Sequence, residues 1–273
     1  QDARLRTDFN VTTGIQSDRI GFIKSKALMK DFYKKGGIPT ARQHRVADEE
    51  AGREFVSLAG YPVIVKPEIG VGAAETWKLS NDEELAAFYA KQLPVPYVME
   101  EFINGELCSY EAISDSNCDP LFENATEFPT PVMDIVNEDL DLQYYTHPSV
   151  PEKLREIGRR TVKAFGVGQR FVHLEFFRLR EDKPGLGNKG DYVGLEVNMR
   201  PPGGYTPDML NFGHSVDVYQ IYADMAAFDE RRTPGSDDVY YCVYASRKDW
   251  HTYRHTHEEI LERYGDRMAM CER

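Results

Sequence analysis

The chain has 273 residues, enough for one large domain or two smaller ones that share a core. At 41% hydrophobic and 29% charged it reads as an ordinary globular chain, and 33 Lys+Arg against 45 Asp+Glu leave a net charge of −12, a surface that repels nucleic acid and anionic lipid. Its apolar runs fall far short of the ~20 residues a membrane helix needs. The four cysteines (Cys108, Cys118, Cys242, Cys271) show no paired metal-type spacing, which suits a reducing cytoplasm.

Residues 22–35 carry Ile23, Ala27, Leu28 and Phe32 at helical spacing and end at Gly36-Gly37, which predicts a helix. Pro39 makes Ile38 extended, and 48–59 reads as a second helix. Residues 61–66 form an apolar strand, and a small-residue loop, 67–74, separates it from a strand at 75–79. A capping box Ser80-x-x-Glu83 opens a helix ending near Gln92. Strands follow at 97–103 and 107–114, on either side of Asn104-Gly105. Residues 115–148 show no firm period and read as loop-rich with a strand or two. Ser149-x-x-Glu152 is read as a second capping box before a helix with Leu154, Ile157, Val162 and Phe165. Strands at 171–180 and 191–200 are joined by a long connection containing Pro184. A helix at 216–228, a strand at 239–245 and a helix opened by Thr256-x-x-Glu259 complete the chain. Hairpins without a strict strand–helix–strand rhythm predict an α+β fold.

Alternation places His173, Glu175, Phe177 and Leu179 with Phe171 on one face of 171–180. In 191–200, Tyr192, Gly194, Glu196, Asn198 and Arg200 share a face, against Val193, Leu195, Val197 and Met199, expected in the core. A hairpin symmetric about its connection pairs Glu175 with Glu196, His173 with Asn198 and Arg180 with Asp191. Two carboxylates directly opposite repel and need a proton or a cation between them. Glu175, Glu196 and the Asn198 amide are a hard-oxygen set of the kind Mg²⁺ prefers; the alternative is a solvated outer face. The loop Gly70–Ala74 lies between two strands, which excludes the phosphate sites that sit on a helix N-terminus. Its glycines present N–H groups to an anion or simply turn the chain. Lys66 ends the strand before it. Lys24, Lys26 and Lys30 share the first helix, and their pattern alone reads as a solvated face.

Taken in order, Lys26, Tyr61–Pro67 with its glycine loop, Met99–Glu106, His173-Leu-Glu175 and Glu196-Val-Asn198-Met-Arg200-Pro-Pro-Gly203-Gly204 resemble the ATP-grasp superfamily. The likeness covers about residues 20–230 and points to the carboxylate–amine ligases and carbamoyl-phosphate-synthase-like members. It implies two α+β lobes with antiparallel sheets enclosing a nucleotide cleft. Residues 22–100 would be the small lobe with its glycine-rich lid and 101–235 the large lobe with the Mg²⁺ site. Residues 1–21 would link to an absent N-terminal domain, and 236–273 would add a strand and helix without the usual closing segment. Lys26 and Lys66 would bind phosphates beside Gly70 and Gly72. The Glu100 carbonyl and Ile103 N–H would read adenine, with Glu101 in the same hinge, and Glu106 would hold ribose where relatives have an acid one position later, here Leu107. Glu175, Glu196 and Asn198 would ligate Mg²⁺ or Mn²⁺. Arg200 would stabilise the phosphorylated substrate in catalysis with Glu196, and Gly203 and Gly204 would admit the substrate carboxylate.

The implied activity is ATP-dependent: a substrate carboxylate becomes an acyl phosphate, ADP leaves, and an amine displaces phosphate. The rivals are an ATP-dependent carboxylase or phosphotransferase on the same fold, or a nucleotide-binding regulatory module. Expected partners are small carboxylates and amines, with no nucleic acid and no membrane; a homodimer is compatible with the resemblance. Elsewhere, His251, His255 and His257 read as a solvated loop, because Thr256 caps the following helix. Cys108 and the tyrosines at 240, 241 and 244 read as packing, and Glu111 as facing either the cleft or the surface.

Overall fold

The computed structural model describes residues 2–11, 14–70, 75–91, 93–131, 134–135 and 138–272. Four strands, β1 (Gln43–Arg45), β2 (Val63–Pro67), β3 (Trp77–Leu79) and β4 (Tyr97–Glu101), form a small antiparallel sheet in the order β1-β4-β2-β3. The large antiparallel sheet holds β5 (Gly105–Ser114), β6 (Pro120–Phe128), β7 (Gln143–Thr146), β8 (Arg170–Leu179), β9 (Tyr192–Asn198) and β10 (Cys242–Ala245), in the order β10-β7-β6-β5-β8-β9. The helices are α1 (Asp2–Asp8), α2 (Gly21–Lys24), α3 (Lys26–Lys35), α4 (Glu49–Ala59), α5 (Asp82–Tyr89), α6 (Glu152–Phe165), α7 (Thr206–His214), α8 (Val218–Phe228) and α9 (His257–Tyr264). No helix among the described residues is long and apolar enough to cross a membrane.

Period-two alternation turns Val63, Val65, Tyr97 and Met99 of the small sheet onto Val56 of α4 and Leu85 and Phe88 of α5. One face of the large sheet buries Tyr110, Leu174, Phe176 and Val197 against Leu154 and Phe165 of α6. Phe22, Met29, Tyr33 and Ile38 enter this same core. The opening helices, expected in the small lobe, therefore belong by packing to the large sheet. Close approach is what two glycines provide here: a Cβ on Gly194 would meet the Tyr33 ring at 2.7 Å, and one on Gly158 the Tyr110 ring at 2.6 Å. On the opposite face, α7 and α8 cover Ile113, Phe122 and Phe171 with Leu210, Val218 and Ile221.

Several boundaries differ from expectation for local reasons. The first helix breaks at Ser25, whose hydroxyl accepts from Leu28 N and caps α3. Asn81, not Ser80, caps α5, accepting from Glu84 N. The Ser149 capping box does not form, since Val150 precedes Pro151 and avoids helical geometry; α6 starts after that proline with no side-chain cap. The Thr256–Glu259 box is present.

Glu175 and Glu196 are paired across β8 and β9, as are His173 and Asn198. Beyond them the register shifts, Phe176 facing Gly194 and Arg178 facing Tyr192, so Arg180 does not pair with Asp191. Leu195 is the extra residue of this bulge, and it exchanges the faces on its two sides. Tyr192, expected with the polar set, joins Val197 in the main core. Val193, expected in that core, packs instead with Ala41, Ile103 and Leu179 on the carboxylate side.

Candidate active site

On the face that α7 and α8 cover at one end, the large sheet presents its side chains in rows that the registers define. One row runs Glu196, Glu175, Ser109, Thr126, Thr146, Cys242 across β9, β8, β5, β6, β7 and β10. The next runs Asn198, His173, Glu111, Asn124. Glu175 and Glu196 thus stand side by side, with Asn198 one pleat along from Glu196.

From α3, which leans on the same sheet, Lys26 Nζ comes within 3.7 Å of Glu196 Oε1 and donates to the Gly70 carbonyl at 2.9 Å. Lys30, one turn further, reaches Glu100 Oε1 at 2.8 Å, and Lys66 of β2 reaches Glu100 Oε2 at 2.6 Å. Three lysines and three carboxylates therefore meet where the two sheets face each other. Burial pushes Glu100 upward, yet Lys30 and Lys66 outweigh it and hold its carboxyl well below the usual range. Burial lowers Lys26 and Lys30, against the opposing pull of Glu196 and Glu100 respectively.

The facing pair divides as two like charges must. Burial and the neighbouring Glu175 raise Glu196, while for Glu175 burial is outweighed by His173, which lowers it. Glu175 meets His173 at 3.3 Å and Glu196 meets Lys26 at 3.7 Å, and the facing carboxylates still present hard oxygens that fit a divalent cation. Among the described residues no three His, Cys, Asp or Glu side chains form a metal cage by themselves. Two carboxylates and an amide leave the remaining positions of such an ion to phosphate oxygens and water.

Glu175, Glu196, Asn198, Lys26 and Lys66 are brought together, and Arg200, exposed at the end of β9, is close enough for its charge to act on Glu175. Gly203 and Gly204 are exposed just before α7, Gly204 with φ +59. Gly72 and its neighbours in the loop lie outside the described residues. Glu101 is buried, accepting from Arg42 N at 2.7 Å and pairing with Arg42 and, at 3.5 Å, Lys183. Glu100 stands opposite Gln43 and Ile64 in an interior strand, so its carbonyl lies within the ladder. Glu101, opposite Val63, is the last residue of this ladder, and Ile103 is buried two residues later. This argues against the Glu100 carbonyl as a reader of a base.

Glu106 is not brought to the carboxylate face. It pairs with Arg178 across β5 and β8, alternating onto the side that carries Cys108, and binds Arg178 and Arg180. Leu107 holds the cleft-side position. Sequence reasoning passed over Lys30, Gln43 and the His173–Glu111 contact; the one signal for Lys30 was its four-residue spacing from Lys26. The four cysteines are free. His251 lies in a loop against Asp139 and Asp141.

A family model for the ATP-grasp domain matches residues 23–204. The chloroplastic phosphoribosylamine–glycine ligase of Arabidopsis thaliana is 26% identical over 219 residues, covering 70% of this chain and 38% of the relative. The carbamoyl phosphate synthase large chain of Clostridium botulinum is 29% identical over 127 residues, 43% of this chain and 12% of that one. The chain thus spans well under half the length of these curated relatives. Among solved structures, the biotin carboxylase domain dimer of Hydrogenobacter thermophilus 2-oxoglutarate carboxylase, in complex with MgADP, ADP and bicarbonate, matches with a TM-score of 0.68 at 19% identity. The match covers 88% of this chain and 54% of that one. That likeness speaks for the fold of two antiparallel sheets with helices, and the family match spans most of the sequence, so the chain belongs to the ATP-grasp family.

Proposed function

We propose that this chain is the nucleotide-binding part of a ligase that activates a substrate carboxylate as an acyl phosphate, releasing ADP, for attack by an amine. The observation that carries the reading is the Glu175–Glu196 pair, two half-buried neighbouring carboxylates within reach of Lys26 and of the charges of Lys66 and Arg200. Glu175, Glu196 and Asn198 would hold Mg²⁺, which when bound supplies positive charge to the phosphate oxygens.

The chain's own groups do the rest. Lys26 and Lys66 offset the charge of the transferring phosphoryl group, and Arg200 orients the attacking carboxylate. The Glu101 carbonyl and Ile103 N–H take the base-reading role at the hinge, moved one residue from the Glu100 carbonyl. In the first step a carboxylate oxygen bonds to the γ-phosphorus as its bond to the β–γ bridging oxygen breaks. In the second the amine nitrogen bonds to the acyl carbon, phosphate leaves, and the nitrogen loses a proton.

The test is ADP release from Mg·ATP across a panel of carboxylates, amino acids and bicarbonate, with E196Q beside the wild type. Release that requires a carboxylate and an amine, and disappears in E196Q, supports the ligase. Release with bicarbonate alone points to a carboxylase, and tight nucleotide binding without turnover to a regulatory module. Turnover undiminished in E196Q overturns the site.

A further inference from the structure

Glu111 is buried without exposure in the middle of the large sheet, and among the described residues its ion-pair partner is His173 rather than a lysine or arginine. A lone interior carboxylate is costly unless donors surround it. Here four do: Ser109 Oγ and His173 Nδ1, at 2.8 Å, meet Oε1, while Asn124 Nδ2 at 2.7 Å and Thr126 Oγ1 at 2.9 Å meet Oε2. The carboxylate's acceptor sites are filled, and every partner must donate. The Asn124 amide is itself oriented, since its Oδ1 lies 2.8 Å from His214 Nε2 at the end of α7. Held by Nδ1, the imidazole of His173 aims Nε2 at Glu175 Oε1, 3.3 Å away.

We infer that Glu111 is a positioning residue for the cation site, acting through His173 to fix the orientation of Glu175. A ligand oriented by its outer neighbours, here through an ion pair, binds metal more tightly than one free to rotate, typically by about tenfold or more. The inference rests on Glu175 being a cation ligand, as proposed above. It assigns to the sheet interior a role that packing alone does not require: Ser109, Glu111, Asn124 and Thr126 form the socket, and His173 is the arm.

The test is Mn²⁺ titration of the chain with ADP present, read as free Mn²⁺ by electron paramagnetic resonance, for wild type, E111Q, H173N, the double variant and E175Q. An amide at 111 sets an NH₂ against donors, and Asn at 173 keeps the bond to Glu111 but stops short of Glu175. E111Q and H173N are each expected to weaken Mn²⁺ binding about tenfold, with metal-free ADP affinity unchanged. The double variant is expected to be no worse than the weaker single. Wild-type Mn²⁺ affinity in E111Q, or losses that add in the double variant, overturns the inference while a loss in E175Q leaves the ligand reading standing. Unchanged binding in E175Q, or no Mn²⁺ uptake by the wild type, overturns both. If E111Q does not fold, H173N decides: a lowered melting temperature with unaltered Mn²⁺ affinity means a structural role only.

Discussion

Lys30 on α3 and Lys66 on β2 grip opposite oxygens of Glu100, at 2.8 Å and 2.6 Å, so that one carboxylate ties the helix packed on the large sheet to the small sheet. Gln43 of β1 adds a third bond at 2.7 Å. Replacing Glu100 by Gln takes from two largely buried ammonium groups the carboxylate that both contact. Breaking a buried pair in this way costs about 3 kcal/mol or more. Urea unfolding of E100Q at neutral pH is expected to show that loss, and ADP is expected to restore more of it than it adds to the wild type. A midpoint equal to the wild type's would count against the clasp.

Lys66 also tests the nucleotide. Its side chain is mostly buried and its charge acts on Glu100, Glu175 and Glu196 together. A charge-assisted contact to phosphate contributes on the order of 1.5–3 kcal/mol, so K66A is expected to weaken ADP binding roughly tenfold or more by calorimetry. Unaltered affinity removes Lys66 from the phosphate site.

Glu106 gives the opposite expectation. Because it faces Arg178 and Arg180 on the side of the sheet away from the carboxylates, E106Q is expected to leave ADP affinity within twofold of the wild type. Partly exposed ion pairs contribute about 0–1 kcal/mol, so its melting temperature should barely move. A clear loss of ADP affinity would restore Glu106 to the ribose.

Glu127 carries an acid-side prediction. His147, whose Nε2 lies 3.2 Å from Oε1, opposed by burial and joined by Tyr145 and Arg178, holds its carboxyl at about 2 against an ordinary 4.5. A carboxyl lowered in the folded chain contributes stability that is present above about 4.5 and lost as pH falls through about 2. E127Q is expected to be less stable than wild type at pH 7 by about 1–3 kcal/mol, and the gap should close on acidification. Thermal melts of both proteins from pH 7 down to 2 check it; a constant gap refutes the assignment.

The carboxylate pair was legible because Glu196 and Asn198 alternate with Val197 in a strand whose other side is apolar, and a local hairpin needs little else to align them. The bulge at Leu195 was not, since Tyr192 and Val193 are both acceptable on either face and only the packing of Tyr33 against Gly194 chooses. β6 hid for a related reason. Glu123, Asn124, Thr126 and Glu127 put polar groups on both its faces, each satisfied by a neighbouring element, so no two-residue period survives. Gly213 and a start without a capping side chain weaken the helical signal of α7, which went unread. Lys30 looked like Lys24, because what distinguishes them is the sheet that α3 leans on.

The chain passes between its two sheets twice, at residues 39–42 and 102–104, and the passages run side by side: Glu101 N donates to the Arg42 carbonyl at 3.1 Å and Arg42 N to Glu101 Oε1 at 2.7 Å. Gly194 N and the Thr40 hydroxyl then tie the first passage to the margin of β9. Two adjacent tethers leave a body one easy axis of rotation, as a pair of pins does for a door. Swinging about it would carry Lys66 and Glu100 as one leaf, away from the Lys26, Lys30, Glu175 and Glu196 that stay with the frame, so that opening the doorway parts the charges and shutting it reunites them around whatever has entered.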